Sequence, residues 1–229
     1  MEIVQDRVLG AVRFLDSTTL LKVDGALAVQ AADTVVRRNR SGLYVIWSAP
    51  TGGTVTFTVS DPAAYYLPRK FNVQLPRDED PGHGDQASSI FQPVDVRLLL
   101  SPTAATSPGW AIIRARVKKA GTDITLSGAL IRVMRASDLV LLASGMSDGR
   151  GEAMIAVTGV PVTTFDGGPG PVVATEIAVK VQTVFDPLLT GFPDPDDLEA
   201  RKGTLPASTA DAKLASGRIL ITELAVTFA

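Results

Sequence analysis

A two-residue alternation of apolar and polar positions dominates this chain. Thr54-Val55-Thr56-Phe57-Thr58-Val59 puts Val55, Phe57 and Val59 on one face and three threonines on the other. Lys70–Leu75 and Ala111–Val117 alternate in the same way, and Ile177, Val179 and Val181 alternate with Glu176, Lys180 and Gln182. Runs rich in β-branched and aromatic residues, Val8–Leu15, Leu43–Trp47, Leu130–Met134, Glu152–Val157 and Ile219–Phe228, read as further strands. Ala26–Val29, Thr34–Arg37, Val94–Leu100 and the apolar Leu139–Leu142 are shorter candidates. No stretch of about 12 residues keeps the i, i+3, i+4, i+7 spacing of an amphipathic helix. Leu198–Lys202 is long enough for one or two helical turns. The pattern predicts an all-β chain of two tandem small antiparallel β-sandwich domains with long Pro/Gly-rich loops.

Turn chemistry divides these strands. Asp24-Gly25, Asn39-Arg40-Ser41-Gly42, Thr51-Gly52-Gly53 and Ser147-Asp148-Gly149-Arg150-Gly151 supply residues that tolerate positive φ. Asp148 is expected to cap its own turn through its side chain. Arg77–Ser89 shifts to Asp, Glu, Gly, Pro, His and Ser and reads as a mobile loop. The Pro/Gly-rich Thr158–Pro171 and the acidic, proline-rich stretch beginning at Asp186 read as two more loops, the latter running to Ala215. Ser101–Gly109, small and punctuated by prolines, is the best linker. It sets the expected domains at 1–104 and 105–229.

The halves also echo each other. Asp24–Val29 answers Ser127–Val133, Asn39–Val45 answers Asp148–Met154, and Thr54–Pro62 answers Ala178–Pro187. The first and last matches lie 103 and 125 residues apart, in the same order along the chain, as tandem duplication would leave them.

In the second half, Ser127-Gly128-Ala129-Leu130-Ile131-Arg132-Val133 followed by Ser147-Asp148-Gly149-Arg150-Gly151-Glu152-Ala153 resembles the transthyretin-like, or carboxypeptidase regulatory-like, domains. The resemblance spans about Trp110–Val157 and implies a spacer, adhesion or folding module. Beyond it the family's short Gly-Tyr strand pair is replaced by proline-rich loops. More distantly, two cysteine-free domains with Tyr66-Leu67-Pro68-Arg69 and a proline-rich second half resemble accessory proteins of phage-tail-like contractile injection particles.

Composition narrows the chemistry. The 229 residues are 45% hydrophobic and 20% charged, with a net charge of −2, and the mean hydropathy is +0.21. That is core enough for globular domains and lacks the basic excess of a general nucleic-acid surface. No run approaches the ~18 apolar residues of a membrane span. With Met1–Arg7 charged, a protein kept in the cytoplasm, or in a particle assembled there, is expected. Zero cysteines and a single histidine remove thiolate nucleophiles and Cys-based zinc sites. His83 sits in the expected mobile loop without an orienting partner. Asp194, Asp196 and Asp197 are interleaved with Pro193 and Pro195, outside the register of a calcium loop. Gly167-Gly168-Pro169-Gly170 lacks the Lys-Ser/Thr of a phosphate loop. A Lys–Asn isopeptide crosslink, found in some related surface modules, is impossible in the second half, which has no asparagine. In the first half Lys22 or Lys70 with Asn72 is the available pair.

No catalytic residue, cofactor or metal is therefore expected. The expected function is a non-enzymatic structural or assembly protein whose partners are protein subunits of a larger assembly, with homo-oligomerisation open. The contact residues are Phe165, Leu188, Leu189 and Phe192 in the second-half loops, with Tyr65 and Tyr66 in the first half. The alternative is a carbohydrate- or cell-surface-binding module, with Tyr65 and Tyr66 as the stacking pair.

Overall fold

A computed structural model describes residues 7–50, 52–161 and 176–228 of the chain. The described residues form fourteen strands, one short α-helix and a single 3-10 turn (Pro81–His83), in two compact units. The first unit comprises the residues up to Asp16, Leu20–Ala63 and Pro68–Leu98. The second comprises Ser17–Thr19, Ala64–Leu67 and everything from Leu99 onward.

The strands of the first unit are β1 (Gly10–Asp16), β2 (Ala28–Gln30), β3 (Val35–Arg38), β4 (Tyr44–Ser48), β5 (Gly53–Ser60), β6 (Arg69–Leu75) and β7 (Val94–Leu98). They form one sheet in the order β3-β4-β1-β7 and another in the order β2-β5-β6. Val12, Phe14, Tyr44, Ile46, Val96 and Leu98 of the first sheet are buried, as are Phe57, Val59, Phe71, Val73 and Leu75 of the second. Their rings interlock: Phe14 meets Tyr44 and Phe71 edge-on at 5.1 and 5.6 Å, and Phe57 stacks on Phe71 at 5.2 Å. Pairs in these geometries contribute about 0.5–1.5 kcal/mol beyond the area they bury. On the outer face of β5 and β6, Thr54 bonds Gln74 and Thr56 bonds Asn72, as the alternation requires.

The second unit holds β8 (Ala111–Lys119), β9 (Leu130–Arg135), β10 (Leu141–Met146), β11 (Glu152–Val157), β12 (Glu176–Val184), α1 (Pro195–Arg201), β13 (Ala207–Ala215) and β14 (Ile219–Val226). The sheets are β11-β8-β14 and β10-β9-β12-β13. Between them lies an aliphatic core that includes Ile113, Val117, Ile131, Val133, Ile155, Val157, Val179, Val181, Leu224 and Val226. The outer face of β9 is buried as well, because α1 lies on it: Leu198, 1% exposed, packs on Leu130 and Val184. Arg132 on that face reaches Gln182 at 2.5 Å and Glu199 of the helix at 2.7 Å. Its Nε–H is poorly aligned toward Glu199, so that contact is an ion pair rather than a hydrogen bond.

Three expectations need correcting. The sheets are not purely antiparallel: β1 pairs parallel with β7, and β8 pairs parallel with β14, so each unit's first and last strands lie side by side. Asp186–Ala215 is not one loop, since it contains α1 and the nine-residue β13. Ala210, Ala212, Lys213 and Asp211 offer too little apolar alternation to announce that strand, which is held by its full antiparallel ladder to β12. Ser101–Gly109 is not a free tether either. Leu100 and Ala104 are buried with Ile112, Met154 and Ala156, and Pro102 O accepts a 3.0 Å bond from Arg114.

The two units share one plan. With seven strands lettered A to G in each, both contain the sheet D-A-G, with A parallel to G, and both pair B with E and E with F. Each of the three sequence echoes falls on equivalent strands: B, the entry to D, and E. The register agrees too. Val12 faces Tyr44 on one side and Val94 on the other; its counterpart Ala115, 103 residues later, faces Ala153 and Thr222. The two bonds that flank each A–B turn match. Asp16 N–H donates to Leu21 O and Val23 N–H to Phe14 O; Lys119 N–H donates to Ile124 O and Leu126 N–H to Val117 O. Only strand C differs, lying beside D as β3 and beside B as β10.

Candidate functional site

Two carboxylates shape the loop between β12 and α1. Asp186 Oδ1 accepts from the Leu188 amide at 2.9 Å, while its Oδ2 takes a 2.8 Å bond from Arg201 of the helix. The Arg201 bond, then the amide, holds this carboxyl below the usual range, against the opposing effect of burial. At the far end Asp194 caps α1, accepting from the amides of Asp196 and Asp197 at 3.1 and 3.4 Å, and Asp197 pairs with Arg201. The acidic cluster is thus a helix cap and an ion-pair network. Among the described residues no group of three His, Asp or Glu side chains is placed to hold a metal ion.

Within that frame the loop turns one leucine in and one out. A Cβ on Gly128 would sit 2.5 Å from Leu189 Cδ2, so glycine there lets Leu189 lie close against the unit. Pro193, which is buried, lies against the same glycine. Leu188, by contrast, is 86% exposed, and Phe192 is 43% exposed. The result is a ledge of fixed backbone carrying two outward apolar side chains. Proline and the carboxylate caps reduce what would be lost in ordering such a loop against a partner. Phe165 lies outside the described residues.

Tyr65 and Tyr66 are placed differently. Both rings are partly buried against Leu100, Ala104, Ile112, Met154 and Ala156, with Trp110 beside them. They meet edge-on, 4.9 Å apart at 78°, and Tyr65 Oη–H donates to Ala105 O at 3.1 Å. They cover the outer face of the β11-β8-β14 sheet. Two rings at that angle do not form one flat surface for a sugar to stack on.

The Arg77–Ser89 stretch is ordered rather than open. The Arg77 guanidinium gathers the carbonyls of Ala87, Ser89 and Gln92, and the Ile90 amide returns to Asp78 O at 2.8 Å. His83 Nδ1 lies 2.7 Å from Asp78 Oδ2, so the imidazole does have an orienting partner. The Asp80 amide, and then His83, hold the Asp78 carboxyl below its ordinary value. Sequence reasoning missed this because the fixing bonds run from one arginine to carbonyls 10 to 15 residues away, which composition does not encode. Lys22 Nζ bonds Ser41 O at 2.9 Å and pairs with Asp24 at 3.4 Å, whereas Asn72 accepts from Thr56.

The turn motifs of the second unit close on themselves. Ser147 Oγ–H donates to Leu126 O at 2.6 Å and accepts from the Ala129 amide at 2.9 Å, which ties the Gly-Ala step to the next turn. Asp148 Oδ1 accepts from the Arg150 and Glu152 amides at 2.8 and 3.0 Å. Asn39 does the same for Leu43 in the first unit. These residues build; they are not arranged around a substrate. No helix among the described residues is long and apolar enough to cross a membrane.

No family model matches the chain, and no curated protein matches it. Among solved structures, the TIE protein of Bacillus anthracis aligns at a TM-score of 0.32 and 10% identity over 96% of this chain, which spans only 34% of that protein's length. The shaft pilin SpaA of Lactobacillus rhamnosus GG aligns at 0.30 and 9% identity, over 97% of this chain and 98% of the pilin. A streptococcal ancillary pilin gives 0.30 and 11% over 96% and 62%. TM-scores this low carry no argument, so the fold rests on the strand pairing itself.

Proposed function

We propose that this chain is a non-enzymatic structural protein that docks onto a larger protein assembly through the ledge between β12 and α1. The observation that carries the reading is Leu188, held 86% exposed on a backbone fixed by Asp186, Arg201 and the α1 cap. An aliphatic side chain on a rigid, partly desolvated loop is the kind of anchor that dominates interface energies. Phe192 adds a second anchor. The finer reading, an accessory subunit of a phage-tail-like particle, is proposed on the sequence resemblance and draws support from the tandem seven-strand plan, which suits a spacer module. The edge-on packing of Tyr65 and Tyr66 favours docking over carbohydrate binding.

The test is velocity sedimentation of the native lysate, followed by Leu188→Asp and Phe192→Asp. The native chain is expected to migrate with a fast particle. Each variant should remain at the top of the gradient while melting like the parent. A native chain found only at the top of the gradient, or variants that co-migrate as well as the parent, would sink the proposal.

A further inference from the structure

Among the described residues, one open sheet edge exposes large apolar side chains along an unbroken ladder. The strand β2 has three residues; β3 carries Arg37, Arg38 and a register shift; β7 has five residues with Asp95 and Arg97. Lys70 lies on β6, β10 is shifted in register at Leu141, β13 carries Asp211 and Lys213, and β11 is buried at five of its six residues. Short length, charge and bulges are the usual means of keeping an edge from pairing with another chain. The edge strand β14, Ile219-Leu220-Ile221-Thr222-Glu223-Leu224-Ala225-Val226, is eight residues long, runs without a register shift and presents two exposed isoleucines. Its one charge, Glu223, is already matched by Lys118 at 2.8 Å.

The parallel ladder shows which backbone groups remain open. Arg218 O accepts from Ile112 N–H and Val226 O from Ala120 N–H, so even-numbered positions face β8. The N–H and C=O groups of Ile219, Ile221, Glu223 and Ala225 therefore point to the open side, where no strand pairs with them among the described residues. Ile219 and Ile221 are also 57% and 80% exposed. An edge of this kind selects an extended strand of matching apolar character as its partner.

We infer that β14 is a homodimer edge, paired antiparallel with β14 of a second copy about a two-fold axis at Ile221. Overlap, hydrogen bonding and charge select that register. Open positions must face open positions, so the axis falls on a residue, and an overlap of at least five strand residues puts it at Ile221, Thr222, Glu223 or Leu224. An axis at Glu223 sets two carboxylates directly opposite each other, and one at Thr222 or Leu224 leaves them on a diagonal roughly 7–8 Å apart. An axis at Ile221 places Ile221 against Ile221 and Ile219 against Glu223. The two carboxylates are then roughly 13 Å apart along the strands, each beside its own Lys118. The two β11-β8-β14 sheets become one continuous six-stranded sheet. Because an edge pair lies at the small end of specific interfaces, the dimer is expected to be weak and concentration-dependent. This surface is distinct from the ledge, and neither reading depends on the other.

The chain has no cysteine, which makes the test direct. Hydrogen-bonded antiparallel partners have Cα atoms about 5.5 Å apart, within the ~4.4–6.8 Å range of a disulfide. Full-length Ile221→Cys is therefore expected to oxidise to a covalent dimer at least tenfold faster than Ile124→Cys, a control at a site 61% exposed in the same unit. Sedimentation equilibrium of the parent should show a monomer–dimer equilibrium that Ile221→Lys abolishes without lowering the melting temperature. A parent that stays monomeric up to its solubility limit would overturn the inference. So would a dimer indifferent to Ile221→Lys, or crosslinking of Ile221→Cys no faster than the control.

Discussion

Three glycines in two equivalent turns separate the reasons for having glycine at all. Gly151 has φ +77°, and a Cβ there would sit 2.7 Å from Thr125 Cβ and 2.8 Å from Val117 O. That carbonyl is fixed by the Leu126 amide at 2.9 Å, and Gly151 O itself takes the Val117 amide at 2.7 Å. Gly42, its counterpart, has φ +81°, but its nearest neighbours are the flexible tips of Lys22 and Arg38 at 3.3 and 3.5 Å. Gly149 has neither a positive φ nor any atom within 4 Å. A left-handed alanine costs about 1–2 kcal/mol, and overpacking against fixed backbone adds about 1–3 kcal/mol. Gly151→Ala should then lose roughly 2–5 kcal/mol, Gly42→Ala about 1–2, and Gly149→Ala nothing, with a gain of up to ~0.5 from the stiffer unfolded chain. At roughly 4 °C per kcal/mol, Gly151→Ala lowers the melting temperature by about 8 °C or more. The assay is unfolding followed by tryptophan fluorescence, since Trp47 lies in the first unit and Trp110 in the second. With Trp47→Phe or Trp110→Phe as background, each unit reports alone. Equal losses at Gly149 and Gly151 would mean that the turn has another shape and refute this reading of the close approach.

Two further changes probe the second unit. Thr183 faces inward opposite Ile131, fully buried, and its hydroxyl has no hydrogen-bond partner among the described residues. Thr183→Val should therefore stabilise the unit by about 1 kcal/mol in urea unfolding, and a loss of stability would show that the hydroxyl is satisfied after all. Asp186, whose carboxyl is held below its ordinary value of 3.8 chiefly by Arg201, stabilises the folded form at pH above that value. That contribution is lost as pH falls through the lower folded-state value. Asp186→Asn should remove this part of the acid limb, measured as melting temperature against pH from 2 to 6. An unchanged acid limb would place the carboxyl outside the ion pair.

Much of the framework was legible because it depends on local alternation and turn chemistry. Val55, Phe57 and Val59 face as their spacing requires, and Asn39 and Asp148 cap their own turns. What escaped depends on distant partners. The parallel pairs β1–β7 and β8–β14 join strands 82 and 107 residues apart in register, and no local pattern distinguishes them from antiparallel ones. Leu198 looks like an isolated apolar residue until its contacts with Leu130 and Val184 make it the foot of α1. The ledge between β12 and α1 was half legible. Its apolar residues stood out, but only the close approach at Gly128 decides that Leu189 turns inward and Leu188 outward.

The one strand that breaks the repeat has a local cause. Counting back six residues from the left-handed glycine of each turn gives Gly145 in β10 and Val36 in β3. A Cβ at Gly145 would lie 2.5 Å from Ile155 Cγ1 and 3.1 Å from Met154 O, so β10 runs tightly across β11, which belongs to the opposite sheet. Only glycine permits that crossing, and it leaves β10 free to pair with β9. At the same point the first unit has Val36, which joins the ladder opposite Ile46, and the turn that connects two sheets in the second unit closes a hairpin within one sheet in the first. The register of D against A is unaffected, because it is set after the turn by the side-chain caps of Asn39 and Asp148. Strand C thus pairs in different sheets in the two units while the D-A-G framework, which carries the β14 edge, keeps its register.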